Sequence, residues 1–200
     1  MKMKEHEKIQ ELIEQIFVEK DDYGTYLIDR TPRSRELMQA EISDLLITQF
    51  GQETVALAIE KLRSLKESGQ LIFQYEEAAY YNPATLRLME IIFYCSQTID
   101  QKQIMEMLLW NEICLFRNDR SFRTYLLQTL HRIGDDSIVE LLKKYAEKIK
   151  SIKYPTISFH EVDQLEVTII IKHCLENSLA KCPEEAKSFM ISSFQAKGYM

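Results

Sequence analysis

Residues 40–82, AEISDLLITQFGQETVALAIEKLRSLKESGQLIFQYEEAAYYN, decide how this chain is read. Ile42, Leu45, Leu46 and Phe50 recur at helical spacing, and Leu37 extends that face back toward a helix start at Arg35 or Ala40. Gly51 suits the left-handed position that ends a helix. A second helix is expected from Glu53 to Ser68, with Val55, Leu57, Ala58, Ile59, Leu62 and Leu65 turned inward and Gly69 closing it. Leu71–Tyr75 and Ala78–Tyr81 are short and aromatic-rich, with Glu76-Glu77 between them, which is a hairpin signal. The order is therefore helix, tight turn, helix, hairpin.

Toward the N-terminus, Ile9, Leu12, Ile13, Ile16 and Phe17 make one apolar stripe on a helix over Glu5–Glu19. Asp21-Asp22-Tyr23-Gly24 ends it, and Thr25–Asp29 reads as a short extended piece. Arg30–Ser34 reads as a loop, because Pro32 pushes Thr31 out of helical geometry. Toward the C-terminus, Asn82-Pro83 combines a preferred N-cap with proline at the first helical position. That punctuation divides the chain into units at 1–82 and 83–200. Helices are expected at about Pro83–Ser96, Asp100–Arg117, Ser121–Ile133, Ser137–Lys153 and Val162–Leu179, with Asp136 as an N-cap. Cys182-Pro183-Glu184-Glu185 opens the last helix, its acids placed to suit the helix dipole. Thr85-Leu86-Arg87 and Ser121-Phe122-Arg123 both open helices, and Asp100 and Asp136 follow at the same offset, suggesting a unit of two helices repeated after 34 to 36 residues.

The totals agree with a helical protein. Only 5 glycines and 4 prolines interrupt 200 residues, and Leu, Ile, Glu, Lys and Gln are frequent. The longest apolar run, Val167–Ile171, falls far short of the roughly 20 residues a membrane span needs. The lysines at the N-terminus have no apolar stretch of signal-peptide type behind them. Four cysteines (Cys95, Cys114, Cys174, Cys182) sit singly on apolar faces, as free buried thiols do, so a cytosolic protein is expected. The net charge of −6 lies entirely in residues 1–82, which hold 10 Lys and Arg against 16 Asp and Glu. Phosphate attraction is the main sequence-independent term in DNA affinity, and this half starts with that term against it.

Residues 40–82, with Glu5–Glu19 as a first helix and Tyr26–Asp29 as a small strand, resemble a winged-helix domain. The turn Ser68-Gly69-Gln70-Leu71-Ile72 and the return strand Ala79-Tyr80-Tyr81 carry the likeness; the long insert before Ala40 departs from it. The resemblance implies either DNA binding or a protein partner. Ser121–Lys150 resembles a HEAT-type repeat, with Arg123 in the first helix, Arg132-Ile133-Gly134-Asp135 at the turn and Val139-Glu140-Leu141-Leu142 in the second. The copy at Thr85–Trp110 has Gln97-Thr98-Ile99-Asp100 instead of the Gly-Asp turn. Such repeats build surfaces that hold proteins, sometimes nucleic acid.

No motif of catalysis stands out. There is no Gly-x-Ser-x-Gly, and no cysteine lies in a recognisable nucleophile setting. The glycines are too dispersed to cradle a phosphate. His173, Cys174 and Cys182, with His160, offer the ligand types of a zinc site, but neighbours 173 and 174 point about 100° apart on a helix. Neither metal nor cofactor is expected. Paired acids lie at turns and helix starts, where capping accounts for them. Arg117, Arg120, Arg123 and Arg132 form the one local cationic excess, suited to an acidic partner or to pairing with Glu112, Asp119 and Asp135.

The reading is a mainly α protein: a winged-helix-like unit followed by α-solenoid-like hairpins. Its expected role is non-catalytic protein binding, as an adaptor or regulator, through Arg117, Arg120, Arg123 and Trp110. The alternative is a DNA-binding regulator using Lys61, Arg63 and Lys66, with Arg30, Arg33 and Arg35 on the flank. Against it stand Glu53, Glu60 and Glu67 on the same helix and Glu76-Glu77 at the wing tip. A small enzyme whose site gathers from scattered residues is the third reading.

Overall fold

A computed structural model describes residues 2–17, 32–75, 78–81, 83–110, 120–151 and 158–199. The extended piece expected at Thr25–Asp29, Arg30, the Glu76-Glu77 tip, Asn82, Glu112, Cys114, Arg117, Asp119 and Tyr154-Pro155 lie outside the described residues. The chain is mainly helical: α1 (Lys2–Phe17), α2 (Pro32–Leu45), α3 (Glu53–Glu67), α4 (Pro83–Cys95), α5 (Gln101–Leu108), α6 (Arg120–Ile133), α7 (Val139–Ser151), α8 (Ser158–Lys181) and α9 (Glu184–Ala196). A π-turn at Leu46–Phe50 continues α2, and 3-10 turns at Thr98–Asp100 and Asp136–Ile138 lead into α5 and α7. Between α3 and α4, β1 (Ile72–Tyr75) pairs antiparallel with β2 (Ala78–Tyr81), with Ile72 opposite Tyr81 and Tyr75 opposite Ala78. No described helix is long and apolar enough to cross a membrane.

The helix boundaries follow local chemistry, with some differences from the sequence reading. Pro32 opens α2 instead of sitting in a loop through Ser34, since proline is tolerated at the first helical position. Gly51 ends the π-turn at φ 51°, and its N–H reaches the Leu46 carbonyl. Gly69, at φ 71°, closes α3. Helix α5 stops at Leu108 rather than running on to Arg117. There the N–H groups of Leu109 and Trp110 bond three residues back, and Lys148 Nζ donates to the Leu109 carbonyl at 2.6 Å. The cap before α7 is Asp135 rather than Asp136: its carboxylate accepts from the Ser137 N–H.

One continuous apolar core runs through the molecule, from Ile9, Ile13 and Ile16 on α1 to Phe194 on α9. At its centre is α4, packed against α2, α3 and α6. Leu88, Met89, Ile91 and Ile92 are all fully buried, each side chain contributing roughly 1.5–3 kcal/mol. The side chains before and after Pro83 therefore share this core. On its flank, the buried Gln39 amide donates to the Ile16 carbonyl at 2.9 Å and ties α2 to α1.

Among the described residues, hydrogen bonds link the turn at Gln52 to the one at Asp100, that one to the turn at Asp135, and the last to α8. Gln52, between the π-turn and α3, donates to the Asp100 carboxylate at 2.9 Å. Gln101 donates to Asp135 at 2.9 Å and Ser137 at 3.0 Å, and accepts from the Asp135 N–H at 2.9 Å. Asn177 on α8 donates to the Gly134 carbonyl at 3.0 Å, and Ser178 exchanges bonds with Asp136 at 2.8 Å. These bonds set how the hairpins α4–α5 and α6–α7 stack, and how α8 lies against the second.

Candidate functional site

Helix α8 carries more apolar surface than one face can bury. Val167, Ile170, Cys174 and Leu175 are buried against α6 and α7. Leu165 and Ile169, one turn apart, remain 61% and 50% exposed. They form one lip of an open groove of about 450 Å³ between α6 and α8. Thr124, Gln128 and His131 of α6 form the facing lip, and Leu127 and Ile170, both buried, make the floor. Glu166 also lines the groove. Two exposed aliphatic side chains over an apolar floor, with hydroxyl, amide and imidazole opposite, suit apolar side chains with a polar edge.

The two helices meet at one end of the groove through a stacked histidine pair. The rings of His131 and His173 lie 4.0 Å apart and 7° from parallel. Burial, and then the neighbouring His173, push the His131 pKa below its ordinary value. Glu176 stands 3.7 Å from His173 Nδ1. The pair closes on itself, so His173 does not turn toward Cys182. Burial pushes the Cys174 thiol up to about 12, helped by Asp135 and Asp136. Burial also raises the Cys95 thiol, against the pull of Arg132. Both thiols are poor nucleophiles and poor ligands in this setting. Among the described residues no cluster of three or more His, Cys, Asp or Glu is placed to hold a metal ion.

The cations singled out in the sequence lie elsewhere. Lys61 reaches Glu14 on α1 at 2.6 Å and lies 5.1 Å from the Phe17 ring. Lys66 lies 5.4 Å over the ring of Trp110, which is half-buried and packed on the core. Arg63 is exposed on α3. Lys61 and Lys66 are thus engaged within the chain, and Trp110 is a packing residue beneath a lysine. Arg120 opens α6, and Arg123 is half-buried one turn further on. Arg132 does not join a carboxylate, as the sequence suggested; it donates to the carbonyls of Phe93 and Ser96 at the end of α4 and caps that helix. Asp135 bonds to Ser137 and Gln101 instead.

The groove was missed at the sequence level because Leu165 and Ile169 look like core residues on an apolar helix. Ile169 carried one distinguishing signal, that Val167–Ile171 continues apolar past what a single stripe requires; Leu165, before Glu166, carried none. The site belongs to a class that can be stated from its geometry: a shallow apolar groove between helices of a mainly α chain. Compared with protein-family models, curated proteins and solved structures, the chain matches none.

Proposed function

We propose that this chain is a non-catalytic protein-binding adaptor or regulator, and that the α6–α8 groove receives two apolar side chains of an amphipathic partner helix. The observation that carries the reading is the exposure of Leu165 and Ile169, one turn apart, beside buried Leu127 and Ile170. Side chains spaced three or four apart on a partner helix match that arrangement. In this reading α4–α5 and α6–α7 are HEAT-like hairpins, supported by their shared order of helix, 3-10 turn and helix and by the hydrogen bonds between successive turns. The first three helices and the β1–β2 pair form a winged-helix-like unit in a structural role. Engagement of Lys61 by Glu14 and of Lys66 by Trp110 favours protein over DNA as its neighbour.

The test is selection of helical peptides from a displayed random library on the whole chain. Enriched peptides are expected to share an apolar pair spaced three or four residues apart, and to lose at least about tenfold in affinity for Ile169→Asp. No enrichment, or equal binding to that variant, would overturn the proposal. Ile169 is half-exposed, so the variant should keep its fold, which thermal melting followed by circular dichroism checks.

A further inference from the structure

We propose that the α6–α8 groove is under acid control: an apolar side chain seated against His131 is held while that imidazole is neutral and released when it takes up a proton. The proposal rests on the groove reading given above and adds its regulation. Helices α6 and α8 run side by side in the same direction. At one end Asp136 meets Ser178 and Gly134 meets Asn177, with bonds of 2.8 and 3.0 Å. A Cβ at Gly134 would stand 2.5 Å from Cys174 Sγ, so the helices approach closely there. The stacked rings of His131 and His173 come next, and Leu127 and Ile170 follow as the floor of the open groove. The pair therefore stands where the groove begins, and His131 is the ring of the two that lines it.

An apolar side chain packed on His131 takes water from the ring and offers it no acceptor, which disfavours the charged form. The free ring is already pressed the same way, because burial and then His173 hold its pKa below the ordinary value. The charges around the pair do not reverse this. Glu176 stands on the His173 side, 3.7 Å from Nδ1, and also lies 3.8 Å from Lys172. Glu166 lines the groove two turns before His173, about 10 Å along α8. In the turn after α6, Asp135 and Asp136 act on Cys174, and Lys181 acts on Asp135. Arg132 is turned to the end of α4, where Arg87 pairs with Glu90. Lys102 and Glu106 of α5 are exposed to water. On α7 and α9, Glu140, Lys143 and Lys197 gather around Tyr199. Linkage then works in both directions: a ligand that selects the neutral ring lowers its pKa, and acid weakens that ligand by the same factor.

The test is fluorescence titration of the full chain with Nile red, a neutral apolar dye, between pH 7.5 and 5.0. At pH 7.5 the dye is expected to bind saturably, and several-fold more weakly to Ile169→Asp. Toward pH 5.0 its affinity for the parent should fall several-fold, each pH unit below the titration midpoint being worth about tenfold. His131→Gln should remove that pH dependence. His173→Gln takes away the neighbour that opposes a proton on His131, so the loss should begin at higher pH. By proton NMR, the His131 ring resonance, assigned by its absence in His131→Gln, should titrate at lower pH when dye is bound. Absence at pH 7.5 of dye binding weakened by Ile169→Asp would remove the groove itself, and this inference with it. Binding that depends on Ile169 but stays constant to pH 5.0, or falls equally in His131→Gln, would leave the groove standing and refute its acid control. Loss of the far-UV circular dichroism signal over the same range would make acid unfolding the cause and refute it equally.

Discussion

Gln101→Ala is the sharpest probe of how the hairpins are joined. Gln101 is 5% exposed and makes three bonds to the next turn: to the Asp135 carboxylate, to the Ser137 hydroxyl and from the Asp135 N–H. A bond to a charged group contributes about 1.5–3 kcal/mol net, and a neutral one about 1. Truncation also leaves the Asp135 N–H without this partner, at a cost of roughly 1–3 kcal/mol where water cannot reach it. The turn is only half-buried, so water recovers part of the loss. A net destabilisation of about 3 kcal/mol is expected, against a total of about 5–15 for a typical domain. Urea unfolding followed by circular dichroism measures it. The loss should also depend on acid. Burial pushes the Asp135 carboxyl up, but hydrogen bonds from Ser137 and Gln101 and the charge of Lys181 outweigh it and hold the group below its ordinary value of 3.8. The stabilisation from that depressed carboxylate is complete above the unfolded value and is lost as pH falls through the folded one. The gap between parent and variant should therefore narrow in strong acid. A destabilisation below about 0.5 kcal/mol, with cooperative unfolding retained, would show that the interturn bonds do not hold the hairpins in register.

Two further outcomes follow from the packing of α6 against α8. A Cβ added at Gly134 would stand 2.5 Å from Cys174 Sγ and 2.5 Å from the Leu130 carbonyl oxygen. Gly134→Ala should cost about 1–3 kcal/mol. Adding Cys174→Ala should recover only part of that in urea unfolding, because the Leu130 carbonyl cannot turn away. The depressed His131 pKa means that the unfolded chain takes up a proton before the folded one does. The stability tied to neutral His131 is present above about 6.5 and declines as pH falls toward the lower folded value. The parent melting temperature should drop between pH 7.5 and 5.5, and His131→Gln should flatten that drop; parallel curves would exclude the stacked pair as the cause.

Most of the helical framework was legible in the chain itself. The stripe of Ile9, Ile13 and Ile16, the breaks at Gly51 and Gly69, and proline opening α4 are local signals, because periodicity and capping act within a few residues. The pairing of Ile72–Tyr75 with Ala78–Tyr81 was equally local. Residue partners were not legible. Lys61 and Lys66 looked like cations offered to a groove, and only the approach of α1 and Trp110 gave them Glu14 and an aromatic face. Arg132 found backbone carbonyls because the end of α4 arrives beside it. Leu165 and Ile169 are aliphatic residues like those of the core, and their exposure was decided by where α6 stops covering α8. Composition and periodicity determined that this chain would build helices around one apolar core. Which charges were spent inside the fold, and which apolar residues were left exposed, depended on contacts between segments distant in sequence, where short-range propensity has no reach.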